Sequence, residues 1–143
     1  MAASAVTKEG THFTAANFGP FEALDQQNKY AKVFIKDALK LTGMEVSLNK
    51  MAPGSASPYL HKHTNNEELY LFLKGQGQMQ VDGEVIEVME GTAVRVAPEG
   101  ARALRNTGSQ PLYYLCVQAQ QDGLKTWTGS DGVHLDTPLS WPT

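Results

Sequence analysis

The chain has 143 residues, 41% hydrophobic and 19% charged, with a net charge of −3 and a pI near 5.8. That length fits one domain able to bury a core without disulfides, and the composition is globular rather than disordered. The acidic balance excludes an extended basic face for nucleic acid, and no stretch reaches the ~20 apolar residues of a membrane helix.

Residues 1–30 lack clear periodicity and read as an arm with one or two short strands or turns. Their start, MAASAVTKEG, has no apolar segment of a secretory signal, so a cytoplasmic protein is expected. AKVFIK (31–36) alternates like a strand. DALKLTG (37–43) fits one helical turn with Asp37 as its cap. MEVSLNKM (44–51) alternates again, with Met44, Val46 and Leu48 on one face, and APGSASP (52–58) breaks the chain. YLHKH (59–63) reads as a short strand, followed by turn residues Asn65, Asn66 and Glu67.

ELYLFLKG (68–75) is apolar on both faces, which predicts a central strand. QGQMQV and EVIEVME flank Asp82-Gly83, the strongest short-range hairpin signal in the chain. GTAVRVAPEG is strand then turn, RALRN is a short strand, and LYYLCVQAQ (112–120) is the last clear strand. The lone Cys116 in that run reads as a buried small hydrophobe and cannot form an internal disulfide. The remaining tail is polar with two isolated tryptophans, Trp127 and Trp141, and either packs back or extends to a partner. Nine or ten short strands at regular spacing predict an all-β sandwich or barrel with little helix.

Chemistry concentrates at His61-Lys62-His63 and Glu68. On a strand, residues i and i+2 share a face, so the two imidazoles stand side by side and Lys62 points away. An antiparallel return can bring Glu68 back to the same point, with Tyr70 and Phe72 on its face. Two imidazoles and a carboxylate make half or more of a transition-metal shell.

The segment GSASPYLHKHTNNEELYLFLKG resembles the first sequence motif of the cupin superfamily: glycine, five residues, His-x-His, three or four residues, glutamate, six residues, glycine. Here Gly54, His61, His63, Glu68 and Gly75 fill those places, with only the first spacing longer by one. Glu68 is preferred to Glu67 because it lies six residues before Gly75. The second motif runs glycine, five residues, Pro-x-Gly, two residues, histidine, three residues, asparagine. Gly91 and Asn106 match its ends, Pro98-Glu99-Gly100 comes one residue late, and the histidine slot falls on Arg102.

The resemblance covers roughly residues 42–118. It implies a single cupin domain over 1–143: an all-β, jelly-roll-like double-stranded β-helix barrel with an N-terminal arm (1–30) and a C-terminal tail (120–143). It implies one divalent transition metal, Fe, Mn, Ni, Zn or Co, held by His61, His63 and Glu68 with open positions, the family's fourth ligand being missing. Arg102, which cannot ligate a metal, either points inward, where it contacts Glu68 or anchors an anionic ligand, or turns outward into solvent. Arg102, Tyr59 and Tyr70 are the candidate substrate-binding residues; Tyr114 and Phe72 are further candidate walls, though core packing is the more common role for each of these aromatics. The implied function is binding of, or dioxygenase, isomerase or epimerase type chemistry on, a small polar and conceivably anionic molecule. The alternative is a non-catalytic small-molecule-binding or sensing cupin. Neither nucleic acid nor membrane is an expected partner, while exposed β surfaces and long arms lead to the expectation of a homodimer. A far-ultraviolet circular dichroism spectrum dominated by helix would end this reading of the fold.

Overall fold

The structure, a computed structural model, describes residues 5–142, with side chains from residue 7 onward; the first four residues of the expected arm and Thr143 lie outside the described residues. In chain order the strands are β1 (Ala5–Glu9), β2 (Thr14–Asn17), β3 (Lys32–Phe34), β4 (Glu45–Met51), β5 (Asn66–Lys74), β6 (Gln76–Val81), β7 (Glu84–Met89), β8 (Ala93–Val96), β9 (Arg102–Asn106) and β10 (Leu112–Gln120). Among the described residues, helix is confined to a 3-10 turn over Phe21–Gln26 and two single turns, α1 (Lys36–Leu39) and α2 (Thr128–Asp131). Among the described residues, no helix is long and apolar enough to cross a membrane.

β1 and β2 form a separate antiparallel hairpin in the arm. The rest forms a five-stranded sheet in the order β3-β4-β10-β5-β8 and a three-stranded sheet in the order β7-β6-β9, all antiparallel. The sheets face one another as a double-stranded β-helix without closing into one continuous ladder. Tyr70, Phe72, Tyr114 and Cys116 from the larger sheet meet Met79, Val88 and Leu104 from the smaller in one core cluster. Each of these residues alternates with neighbours turned away from the core, as a pleated strand requires.

Turn chemistry sets the connections. In the β6–β7 hairpin Val81 pairs with Glu84, and Asp82 and Gly83 both have positive φ, 51° and 86°. This two-residue turn has the twist that flanking strands need, and Asp-Gly tolerates it. Gly75, between β5 and β6, has φ 99°, and a Cβ there would lie 2.6 Å from the Pro111 carbonyl oxygen. Only glycine lets the two strands cross at that point.

β5 is interior, between β10 and β8, as its apolar character predicts. The face of β4 carrying Val46 and Leu48 turns outward, where the buried Leu24 of the 3-10 turn packs against the strand. Its other face carries Glu45, Ser47 and Asn49 inward, so the interior of this half is polar.

Several local expectations give way. Asp37 does not cap α1; Ile35 is the N-cap and no side chain caps it. Asn66 and Glu67 belong to β5 rather than a turn, because the ladder with β10 extends to Gln120–Asn66. Their side chains bond across the sheet, Asn66 to Gln118 (3.0 Å) and Glu67 to Arg95 (2.8 Å). YLHKH is not a regular strand: Pro53 and Pro58 remove ladder donors, and residues 54–63 run beside β9 with scattered backbone bonds. The tail does not pack on the sheets; Trp127 and Trp141 are 72% and 82% exposed.

Asn106 closes the end of the fold. Its side-chain amide donates to Met51 O (2.9 Å) and Gln110 O (2.8 Å), and its Oδ1 accepts the Gly108 N–H (2.8 Å). It is 2% exposed, so no water can replace these partners. Asn106→Ala is expected to cost about 2–3 kcal/mol, read as a lower urea midpoint at unchanged m-value.

Candidate metal and ligand site

Glu68 lies at the centre of the site. It sits on β5 with its side chain turned inward and is 4% exposed. The two carboxylate oxygens have different surroundings. Oε1 accepts from Arg102 Nη1 at 2.6 Å and from the Tyr70 hydroxyl at 2.7 Å. Oε2 accepts from the Cys116 thiol at 3.2 Å and faces His63 Nε2 at 3.3 Å. Burial pushes the Glu68 carboxyl up, but Tyr70, Arg102, Cys116 and His63 outweigh it and hold the pKa at about 2. The group is therefore a carboxylate at neutral pH.

His61 and His63 enter from the irregular segment beside β9. His61 N–H donates to Arg102 O and Arg102 N–H to His61 O, while His63 N–H donates to Pro98 O. This pairing does what a regular strand would do, placing both imidazoles on the inner side with ring centroids 5.3 Å apart and planes at 86°. His61 Nε2 lies 3.7 Å from Glu68 Oε1. Burial first, then the charges of Arg102, His63 and Lys32, lower the pKa of His61 against the pull of Glu68. That favours the neutral imidazole, which is the form that ligates metal.

One ligand atom from each of His61, His63 and Glu68 can be chosen so that all lie within 4.8 Å of one another. His63 Nε2 is buried without any hydrogen bond. It is close to Glu68 Oε2, yet the pair is off the hydrogen-bond direction, so proximity does not satisfy the nitrogen. A buried, unbonded imidazole nitrogen this close to a carboxylate oxygen fits a shared cation: ligands about 2.1 Å from one ion stand roughly 3–3.5 Å apart. The donor set present therefore fits a divalent transition metal.

Arg102 lies inside, 1% exposed, rather than outward in solvent. β9 alternates Arg102, Leu104 and Asn106 inward with Ala103 and Arg105 away from the core. Besides Glu68, the guanidinium donates to Gly100 O (2.9 Å), Ala97 O (2.8 Å) and Pro98 O (3.3 Å). The turn whose Pro98 and Gly100 come late in the motif thus supplies the carbonyls that hold the arginine. With these four acceptors met, little of the guanidinium fork remains for a ligand.

A cavity of about 350 Å³ opens over this cluster. Tyr59 lines it and is largely exposed; Tyr70 lines it with its hydroxyl already given to Glu68. Further lining residues are Lys32, Glu45, Ser47, Tyr114, Cys116 and Gln118. Phe72 is core rather than wall. Reading the residues in order passed over Lys32, Ser47 and Glu45, although the polar alternation of MEVSLNKM carried the signal for the β4 pair. Cys116 does pack as a small buried residue, but its thiol also serves Glu68. Burial and the adjacent carboxylate push that thiol up to about 12, far from a nucleophile's range.

A family model described as a cupin domain matches residues 47–118. A cupin protein of Bacteroides fragilis, known as a solved structure, is similar at 39% identity and TM-score 0.71, covering 76% of this chain and 92% of that one. An uncharacterized protein of Methanocaldococcus jannaschii is 36% identical over 75 residues, 52% of this chain. The match spans 60% of that relative's own length. The oxalate-binding protein of Thermotoga maritima is 29% identical over 87 residues, 61% of this chain and 71% of that protein.

Arg102→Met leaves Glu68 buried without its counter-charge. It is expected to cost about 3–5 kcal/mol. The double variant Arg102→Met/Glu68→Gln should recover part of that loss in urea denaturation, because the buried charge is then gone.

Proposed function

The chain belongs to the cupin family, and from that membership and the site's geometry we propose that it binds a small polar molecule against a divalent transition metal held by His61, His63 and Glu68. The observation that carries this reading is His63 Nε2, buried, unbonded and 3.3 Å from Glu68 Oε2. Two features of the carboxylate support it. Arg102 and Tyr70 load one oxygen, which fixes the group's orientation and keeps it charged. The other oxygen stays beside His63, while His61 lies 3.7 Å from the loaded one. A metal bound there supplies a Lewis acid with open positions for an oxygen-bearing ligand.

Within this chain's own residues, binding is better supported than proton-transfer catalysis. Proton abstraction needs a base tuned near neutral pH and in reach of the ligand. With both imidazoles engaged, the remaining cavity groups are poor candidates. Burial first, and then the Cys116 and Glu68 neighbours, raises the Tyr70 and Tyr114 hydroxyls well above the ordinary phenol value. Glu45 already accepts the backbone N–H groups of Lys36 (2.9 Å) and Val46 (3.0 Å). The Thermotoga relative is named for binding oxalate, a small oxygen-rich molecule of the kind this cavity suits.

A second reading, a metal-free binding cupin, is favoured by the 2.6 Å contact between Arg102 and Glu68, which already neutralises the carboxylate. Metal measurements separate the two. Untagged protein purified without chelators is expected to carry a transition metal on elemental analysis. Added Mn(II), Fe(II), Ni(II) or Zn(II) should raise the melting temperature, with about 2.7 kcal/mol of stabilisation at a hundred times the Kd. His61→Ala together with His63→Ala should abolish both effects. A wild-type protein with no metal and no thermal response to any of the four ions leaves the metal-free reading standing.

A further inference from the structure

We infer that the cavity takes a ligand bearing an anionic oxygen group, a carboxylate or a phosphate, and that Lys32 on the edge strand β3 holds it, with the Tyr114 hydroxyl donating to the same ligand. This rests on the cavity being a small-molecule site, as proposed above, but not on the metal.

The argument starts from sheet register. Phe34 pairs with Ser47, and Ser47 with Cys116 on β10, while Lys32 pairs with Asn49, and Asn49 with Tyr114. Residues directly opposite in a ladder share a face, so Lys32, Phe34 and Tyr114 lie on the same inner face as Cys116 and Glu68. All five line the cavity. The Lys32 ammonium stands 5.5 Å from the centroid of the Phe34 ring, at the cavity's edge.

Charge accounting isolates Lys32. Four fully charged side chains line the cavity: Lys32, Arg102, Glu45 and Glu68. Arg102 and Glu68 close on each other. Glu45 is turned to the amides of Lys36 and Val46. Among the described residues, no carboxylate lies within 4.0 Å of the Lys32 ammonium. A half-buried lysine facing a cavity with no counter-charge bears a desolvation cost that an anion relieves. The same count makes Arg102 a poorer anchor, since four of its five N–H donors are already met inside the protein.

Lys32 is also held in place. Its N–H donates to Asn28 Oδ1 at 3.2 Å, and the Asn28 amide donates back to the Lys32 carbonyl. An edge strand of three residues is thereby fixed where the lysine is needed. Tyr114 adds a second donor: it is 8% exposed, lines the cavity, and its hydroxyl has no partner among the described residues. Its raised pKa keeps that proton on oxygen.

The test is titration calorimetry of the full chain with malonate and with inorganic phosphate, before and after chelator treatment. Wild type is expected to bind one of the two, and which one it binds tells a carboxylate site from a phosphate site. Lys32→Met and Lys32→Gln should each weaken that anion by about tenfold or more, because a hydrogen bond to a charged group is lost. Lys32→Arg should stay within about threefold, since the charge remains. Tyr114→Phe should weaken binding by roughly three- to tenfold while leaving the fold intact, as one neutral hydrogen bond is removed. Mn(II) uptake by Lys32→Met should match wild type, which separates loss of the anion subsite from loss of the metal site. Anion binding that needs Lys32 in a protein that takes up no metal would keep this inference and remove the metal reading alone. Unchanged affinity in Lys32→Met and Lys32→Gln, or no binding of either anion by wild type, overturns it.

Discussion

The structure depends on how one buried carboxylate is accommodated. Glu68 belongs to the five-stranded sheet and Arg102 to the three-stranded sheet, so their 2.6 Å contact is an ionic link between the two halves of the fold. Taking two charges out of water costs several kcal/mol per ion, and attraction alone repays that only with good geometry and further hydrogen bonds. Both conditions hold here. Three loop carbonyls receive the rest of the guanidinium, and the hydroxyl of Tyr70 and the thiol of Cys116 complete the carboxylate. Tyr70, Cys116 and Arg102 sit where sheet register puts them, so polar satisfaction of one side chain constrains strands β5, β9 and β10 together.

This arrangement gives the site its polarity. One carboxylate oxygen, Oε1, is spent on holding the protein together and has His61 at 3.7 Å, and the other, Oε2, faces His63. The resemblance to the cupin motif places a histidine where Arg102 stands, and a histidine there would add a ligand. The arginine instead adds a fixed positive charge behind the carboxylate. It lowers the cation affinity of that oxygen while guaranteeing that Glu68 is ionised. The result is a three-residue ligand set with structural and chemical duties divided between the two oxygens of one side chain.

The cavity shows a second division. Its apolar walls come from both sheets, and beside the polar cluster of His61, His63, Glu68 and Arg102 one face of β4 and β10 adds Glu45, Ser47 and Gln118. β4 can turn Ser47 and Asn49 inward because Leu24 of the 3-10 turn covers its apolar side from outside. Without that cover, Val46 and Leu48 would drive the strand the other way round, since a one-residue slip exchanges the faces.

Much of this was legible in the residues alone. Strand number, the Asp82-Gly83 hairpin, the interior position of β5 and the triad of His61, His63 and Glu68 follow from alternation, turn chemistry and motif spacing, all of which are local. What the residues in order did not reveal was which groups would be consumed by one another. The residues alone left Arg102 between Glu68, an anionic ligand and solvent, and only the facing of two sheets shows that Glu68 is its partner and that the 97–100 turn takes up most of its other donors. Nothing in the residue order marks Lys32; the pairing of β3 with β4 brings it to the same inner face as Tyr114. The amino-acid sequence determined the strands and the identity of the donors, because period-two patterning and turn residues act within a few positions. The tertiary structure decided which donors stay free, because satisfaction of a buried polar group depends on what lies across the core, tens of residues away in the chain.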